Sequence, residues 1–318
     1  MSHSNARSDL EAALTGEYAI VRETAHSAGF STFEARARKD GAGVGVKAVP
    51  ASSLAGLASI SDAELAARRV QHPNILPILR AGRYGDTFFW VAPSIDARTL
   101  SARLSRGGRM ELKDALTVLR DVSAALTHAH LHGVVHGGLS PDSILISGGS
   151  ALISDLGIAE VFAALRSRGV RVPPGAQTAG DSLRYASPEQ AGGAKSDARS
   201  DVYAWGVIGY ELLSGRHPFA GRNTPRQMMA AHIDEEPAQL STGPAGAPSA
   251  VTRLIMRCLS KDPSKRPESA REVLAVMTRE MLAPPPAPAP GSGQKMMMGL
   301  LVLVVLAIAA IAWFGMRR

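Results

Sequence analysis

The sequence predicts an α+β chain of two lobes, a small strand-rich one followed by a larger helical one, with one C-terminal transmembrane helix. Three observations carry this. Short strand-like segments fill the part before residue 92. From Leu112 onward apolar residues recur at helical spacing. Residues 296–314, MMMGLLVLVVLAIAAIAWF, run without a single charge.

Taken in order, residues 1–16 read as a disordered or loosely helical lead-in. Strands are expected at Tyr18–Val21, Thr32–Ala37, Val44–Val49 and Phe88–Val91, with one helix, Asp62–Val70, between the last two. Leu112, Leu116, Leu119, Val122 and Leu126 then form one apolar helical face. Further helices are expected at about 199–214, 223–232, 248–259 and 268–281. There is no internal repeat. The folded part is predicted over 17–282, the linker over 283–295, the membrane helix over 296–314 and a short tail over 315–318.

Pro284-Pro285-Pro286-Ala287-Pro288-Ala289-Pro290 cannot sustain a helix or a sheet interior, so the linker is expected to be a semi-extended tether. As a helix, 296–314 would span roughly 28 Å, close to the hydrocarbon thickness of a bilayer. Trp313 sits near its end, where an interfacial aromatic is favoured, and Lys295 and Arg317-Arg318 bracket it. The flanking cations balance and leave orientation open. The N-terminus, Met1-Ser2-His3-Ser4-Asn5, is polar, and no secretory signal follows it. The expectation is a single-pass, tail-anchored protein whose large domain lies in the cytoplasm.

The chain has 318 residues, a formal charge of +7, 45% hydrophobic residues and only 5% aromatics, so aliphatic side chains must fill the core. The basic balance suits contact with anionic lipid headgroups. No basic stripe interleaved with aromatics and no zinc-ligand spacing points to nucleic acid. One cysteine, Cys258, excludes an intramolecular disulfide and reads as a core residue of an apolar helix.

Seven collinear stretches resemble the serine/threonine protein kinase family, particularly its bacterial members. They are Val44-Gly45-Val46-Lys47, His72-Pro73-Asn74-Ile75-Leu76, Val134–Leu145, Ser154-Asp155-Leu156-Gly157, Tyr185-Ala186-Ser187-Pro188-Glu189-Gln190, Ser200–Val207 and Lys261–Pro267. The resemblance implies a kinase-like domain over 17–282, with ATP and magnesium as cofactors.

Phosphoryl transfer is positioning plus charge neutralisation. The resemblance assigns Lys47 to the phosphates, Asp155 to magnesium, and the Pro93 carbonyl and Ile95 N–H to adenine. It places the helix partner of Lys47 near Ala63, one residue from Glu64, and leaves that pairing open. The glycine-rich loop should fall at Ala25–Ser31, where Gly29 alone remains. Gly41-Ala42-Gly43-Val44-Gly45 reads instead as a turn and the start of a strand.

The catalytic loop carries the largest departure. Gly138 stands where the resemblance puts the proton-accepting Asp, and Gly137 where it puts Arg. Ser140 replaces the phosphate-contacting Lys, and Ser143 the metal-binding Asn. Glycine offers no carboxylate, and serine is a poor base and a weak magnesium ligand. Asp142 is close in sequence, but its position in the family pattern faces away from the site. The positions that resemble structural supports are kept: Glu189 with its partner Arg266, and Asp201, which in the family anchors the catalytic-loop backbone.

His128, His130, His132 and His136 invite a metal hypothesis. His130 does not share the face of His128 and His132, and no Glu completes a metalloprotease pattern. The Lys47–Asp155 pair admits two readings, a nucleotide site or an ion pair that stabilises an empty cleft. The expected function is a membrane-tethered pseudokinase, a regulatory or scaffolding module that binds membrane lipid through 296–314 and an unidentified protein partner. The alternative is an atypical active kinase that transfers phosphate from ATP to protein hydroxyls by orientation alone. A third reading is a nucleotide sensor that closes on ATP without transfer.

Overall fold

The computed structural model describes residues 3–27, 30–50, 70–85, 87–106, 110–158, 182–240 and 246–282. The expected helix at 62–69 with Ala63 and Glu64, the glycine Gly29, the linker 283–295, the membrane helix 296–314 and the tail 315–318 lie outside them. Among the described residues no helix is long and apolar enough to cross a membrane.

The first lobe is a five-stranded antiparallel sheet of order β1-β2-β3-β5-β4. Its strands are β1 (Tyr18–Ser27), β2 (Phe30–Ala37), β3 (Gly43–Pro50), β4 (Arg80–Tyr84) and β5 (Thr87–Pro93). The turn before β3 is tied by the Asp40 carboxylate, which accepts the Ala42 N–H at 2.9 Å. Alternation along β3 sends Val44, Val46 and Ala48 to one face and Lys47 to the other. The first face is packed with Phe33, Ala35, Phe89 and Val91.

The residues that cover that face correct a sequence expectation. The lead-in is an ordered helix, α1 (His3–Leu14), whose Leu10 and Leu14 are fully buried in the sheet's core. Thr87 donates its hydroxyl to Asp9 at 2.9 Å, and Arg80 reaches both Glu17 and the Ala13 carbonyl. The sequence allowed a loose helix here and not an ordered one, because only two leucines mark its apolar stripe. Its stability comes from docking rather than propensity.

A second sheet, β6 (Arg98–Thr99), β7 (Ile144–Ser147) and β8 (Ser150–Ile153), opens the second lobe. β7 and β8 pair through a two-residue turn, Gly148-Gly149, with φ of 56° and 83°. Both turn positions need positive φ, which glycine adopts without penalty. That turn between two apolar triplets was a sequence signal the strand count above omits.

The helices are α2 (Leu100–Leu104), α3 (Leu112–Leu131), α4 (Pro188–Ala191), α5 (Ala198–Ser214), α6 (Pro225–Asp234), α7 (Ser249–Cys258) and α8 (Ala270–Leu282). The four helices expected at about 199–214, 223–232, 248–259 and 268–281 fall within two residues of those bounds. α5 is the central one. Asp197 caps it by accepting the N–H groups of Arg199 and Ser200 at 2.8 and 3.0 Å. Its residues from Ser200 to Tyr210 are all buried. The Trp205 indole donates to the Leu119 carbonyl of α3 at 2.9 Å, and Gly206 lets α7 approach at Cys258.

Candidate functional site

The site lies where β3 and β5 meet the loop after β8. Lys47 and Trp90 are direct cross-strand partners on the cleft face. Asp155 follows β8 with φ of 60°, a left-handed conformation uncommon for a non-glycine residue. Its carboxylate is nearly buried and accepts three donors. Lys47 Nζ reaches Oδ2 at 2.5 Å, Ser154 Oγ reaches Oδ2 at 2.9 Å, and the Trp90 indole N–H reaches Oδ1 at 2.8 Å. Burial works to raise the carboxyl's pKa. Lys47, Trp90 and Ser154 overcome that and hold it below the ordinary carboxylate range. The ion pair weighed from the sequence therefore exists; its Trp90 component was not anticipated.

The loop His136–Ser143 is held by its backbone. Asp201 on α5 accepts the His136 N–H through Oδ2 and the Gly137 N–H through Oδ1, both at 2.8 Å. His130 Nε2 meets Asp201 Oδ2 at 2.8 Å. The buried His136 ring donates from Nε2 to the Ser154 carbonyl at 3.0 Å, tying the loop to the residue before Asp155. Burial pushes His136 below its usual pKa and keeps the ring neutral. Gln190, from the far side, donates its amide N–H to the Gly137 carbonyl at 2.6 Å. Sequence reasoning missed that contact too.

Gly138 presents no functional group at the position assigned to the base. Ser143 and Ser140 close a ring on themselves. The Ser143 hydroxyl donates to the Ser140 carbonyl at 2.9 Å and accepts the Ser140 N–H at 3.1 Å. Ser140 is buried, and its own hydroxyl has no hydrogen-bond partner. The donor set therefore does not fit magnesium. One carboxylate already serves three donors, and the second ligand position is a hydroxyl committed to backbone.

At the hinge, the Ser94 N–H donates to the Gly43 carbonyl at 2.9 Å, while Pro93 pairs in register with Val44. Ile95, two residues past the end of β5, is exposed.

The supporting pair is complete. Arg266 Nη1 and Nη2 meet the two Glu189 oxygens at 2.9 and 2.8 Å. Its remaining donors go to the carbonyls of Ser260, Arg199 and Lys261, and it stacks on the Tyr203 ring at 4.9 Å. Burial acts to raise the Glu189 pKa, but Arg266 and the Ser200 hydroxyl pull it down to about 2. Full pairing is what makes a buried guanidinium tolerable.

The histidines separate. His72, His128 and His132 stack with ring centroids 5.1 and 4.4 Å apart, while His130 and His136 serve the loop. Among the described residues no group of three His, Cys, Asp or Glu side chains is arranged to hold a metal ion.

A strand-rich lobe offering a lysine to a buried aspartate, above a helical lobe that pins a loop by its backbone, is a kinase-like scaffold. The chain belongs to the protein kinase domain family, whose model matches residues 29–277, and is of the bacterial serine/threonine type. It is 30% identical over 210 residues to the serine/threonine-protein kinase PrkC of Bacillus subtilis, covering 66% of this chain and 31% of that one. It is 32% identical over 225 residues to PknB of Mycobacterium tuberculosis, covering 69% and 35%. The match thus spans about a third of these relatives' length.

Proposed function

We propose that this protein is a membrane-tethered pseudokinase, a regulatory or scaffolding module in signalling that docks a protein partner and does not transfer phosphate. The observation that carries the reading is Gly138 in the place of the base, inside a loop whose backbone Asp201 still holds. Ser140 and Ser143 extend the loss to the phosphate and metal positions. The frame survives where the chemistry does not, which favours retained use of the fold over decay. The uncharged run at 296–314 supports the membrane tether.

The kept Lys47–Asp155 pair supports a second reading, an atypical active kinase that orients ATP against a protein hydroxyl. One experiment separates the two. The full chain in detergent is incubated with magnesium and labelled ATP, alone and with a generic protein substrate. No incorporation is expected. Incorporation that disappears in Lys47→Ala and Asp155→Ala would establish the active enzyme. The tether is tested by alkaline extraction of cell membranes. The full chain should stay with the membrane, and a chain ending at residue 282 should leave it.

A further inference from the structure

In the hydrogen bond between Trp90 and Asp155, the indole N–H points at Oδ1 from 2.8 Å, while Lys47 and Ser154 point at Oδ2. An indole nitrogen can only donate, so it cannot turn to share the oxygen with a cation. Nor can it swing aside easily. Trp90 is 3% exposed, its strand register fixes it opposite Lys47, and its ring packs against the fully buried Phe88 with centroids 5.9 Å apart. A divalent cation at Asp155 would therefore meet a carboxylate with three of its roughly four lone-pair sites already taken, one of them by a core side chain.

Two of these donors join the lobes. Trp90 and Lys47 belong to the first sheet, and Asp155 to the loop that leaves the second. A cation would normally supply positive charge at such a place. Here the Lys47 ammonium supplies that charge from within the chain, and two neutral donors occupy further oxygen sites. The Ser140–Ser143 ring removes the other ligand position by the same means, committing the hydroxyl to backbone.

We propose that Trp90 is a built-in substitute for the divalent cation, so that a nucleotide in this cleft binds uncomplexed, without a divalent ion. This rests on the reading of the cleft as one that does not transfer phosphate, and it goes further. The ligand class is a free adenine nucleotide held by Lys47, not its magnesium complex.

The test uses the full chain in detergent, with ADP and ATP added in EDTA, in magnesium and in manganese. Thermal shifts are read together with the indole N–H resonances. Trp205, bonded to the Leu119 carbonyl, serves as the internal reference. The nucleotide is expected to raise the melting temperature equally in EDTA and in magnesium, and manganese should leave the Trp90 resonance sharp. A shift that requires magnesium, a Trp90 resonance selectively broadened by manganese, or no shift with any nucleotide would each overturn the proposal. In Trp90→Phe, nucleotide affinity is expected to become severalfold stronger with magnesium than in EDTA. A folded Trp90→Phe chain indifferent to the cation overturns the role given to Trp90. If that variant does not fold, the wild-type measurements still decide. Phosphate transfer is scored in parallel. A chain that responds to magnesium yet transfers nothing defeats this inference alone.

Discussion

Asp201 holds Gly137 by its backbone: Oδ1 accepts the Gly137 N–H at 2.8 Å, while Oδ2 takes those of His136 and the His130 ring. A loop with glycines at 137 and 138 thus keeps its path because a helix carboxylate satisfies its amides. Asp201→Ala would leave buried donors unpaired, and should cost about 3 kcal/mol of stability. Urea unfolding should show a lower midpoint with an unchanged slope.

A carboxylate placed at 138 should not by itself raise phosphate transfer. Gly138→Asp would return one carboxylate, but Ser140 and Ser143 would still supply neither the phosphate-contacting cation nor the second metal ligand. Asp155 would still be engaged by Trp90. Labelled-phosphate incorporation in the single variant is expected to match the unaltered chain. Transfer by that variant would show that positions 140 and 143 are dispensable.

The N-terminal helix should be integral to the first lobe. Leu10 and Leu14 are both fully buried against the sheet. Leu10→Ala or Leu14→Ala should each cost about 3 kcal/mol, the usual penalty for an aliphatic cavity. Removal of residues 1–16 should lower solubility, because it bares Phe33, Val46 and Phe89. Thermal unfolding and light scattering of the truncated chain would check both.

Gly206 faces Cys258 where α5 and α7 cross. A Cβ at 206 would lie 2.6 Å from the Cys258 Cβ, too close for either helix to ignore. Gly206→Ala should therefore destabilise by about 2 kcal/mol despite alanine's better helix propensity. A neutral or stabilised variant would mean that the helices separate at little cost.

Acid should weaken the second lobe before its carboxylates titrate. His217 and His232 each donate from Nε2 to the Arg184 carbonyl at 2.7 Å. Burial pushes their pKa values down to about 4 and about 3. Unfolded, each returns to its ordinary value near 6.5, so the unfolded chain binds more protons in between. Their stabilising contribution is complete above pH 6.5 and is lost as pH falls toward 4 and then 3, by at most ~1.4 kcal/mol per proton per pH unit. His72 and His136, also depressed chiefly by burial, act in the same direction. Glu189 adds its loss only below about 4.5, as pH falls toward its own pKa of about 2. Melting temperature should therefore decline between pH 6.5 and 5, and less steeply in His232→Gln.

The sequence by itself determined the two-lobe order, strands before helices, and the family. Apolar spacing placed α3, because a helix face needs only local periodicity. Motif order placed Lys47, Asp155, Glu189, Asp201 and Arg266, because the kinase pattern is collinear. Local reasoning failed where stability or chemistry comes from distant partners. α1 is held by a sheet face assembled from strands as far away as β5. Gln190 reaches Gly137 across 53 residues, and Trp90 reaches Asp155 across 65. No periodicity encodes those distances. Strand register and lobe packing decide them, and they turned a recognisable aspartate into one already engaged by its own chain.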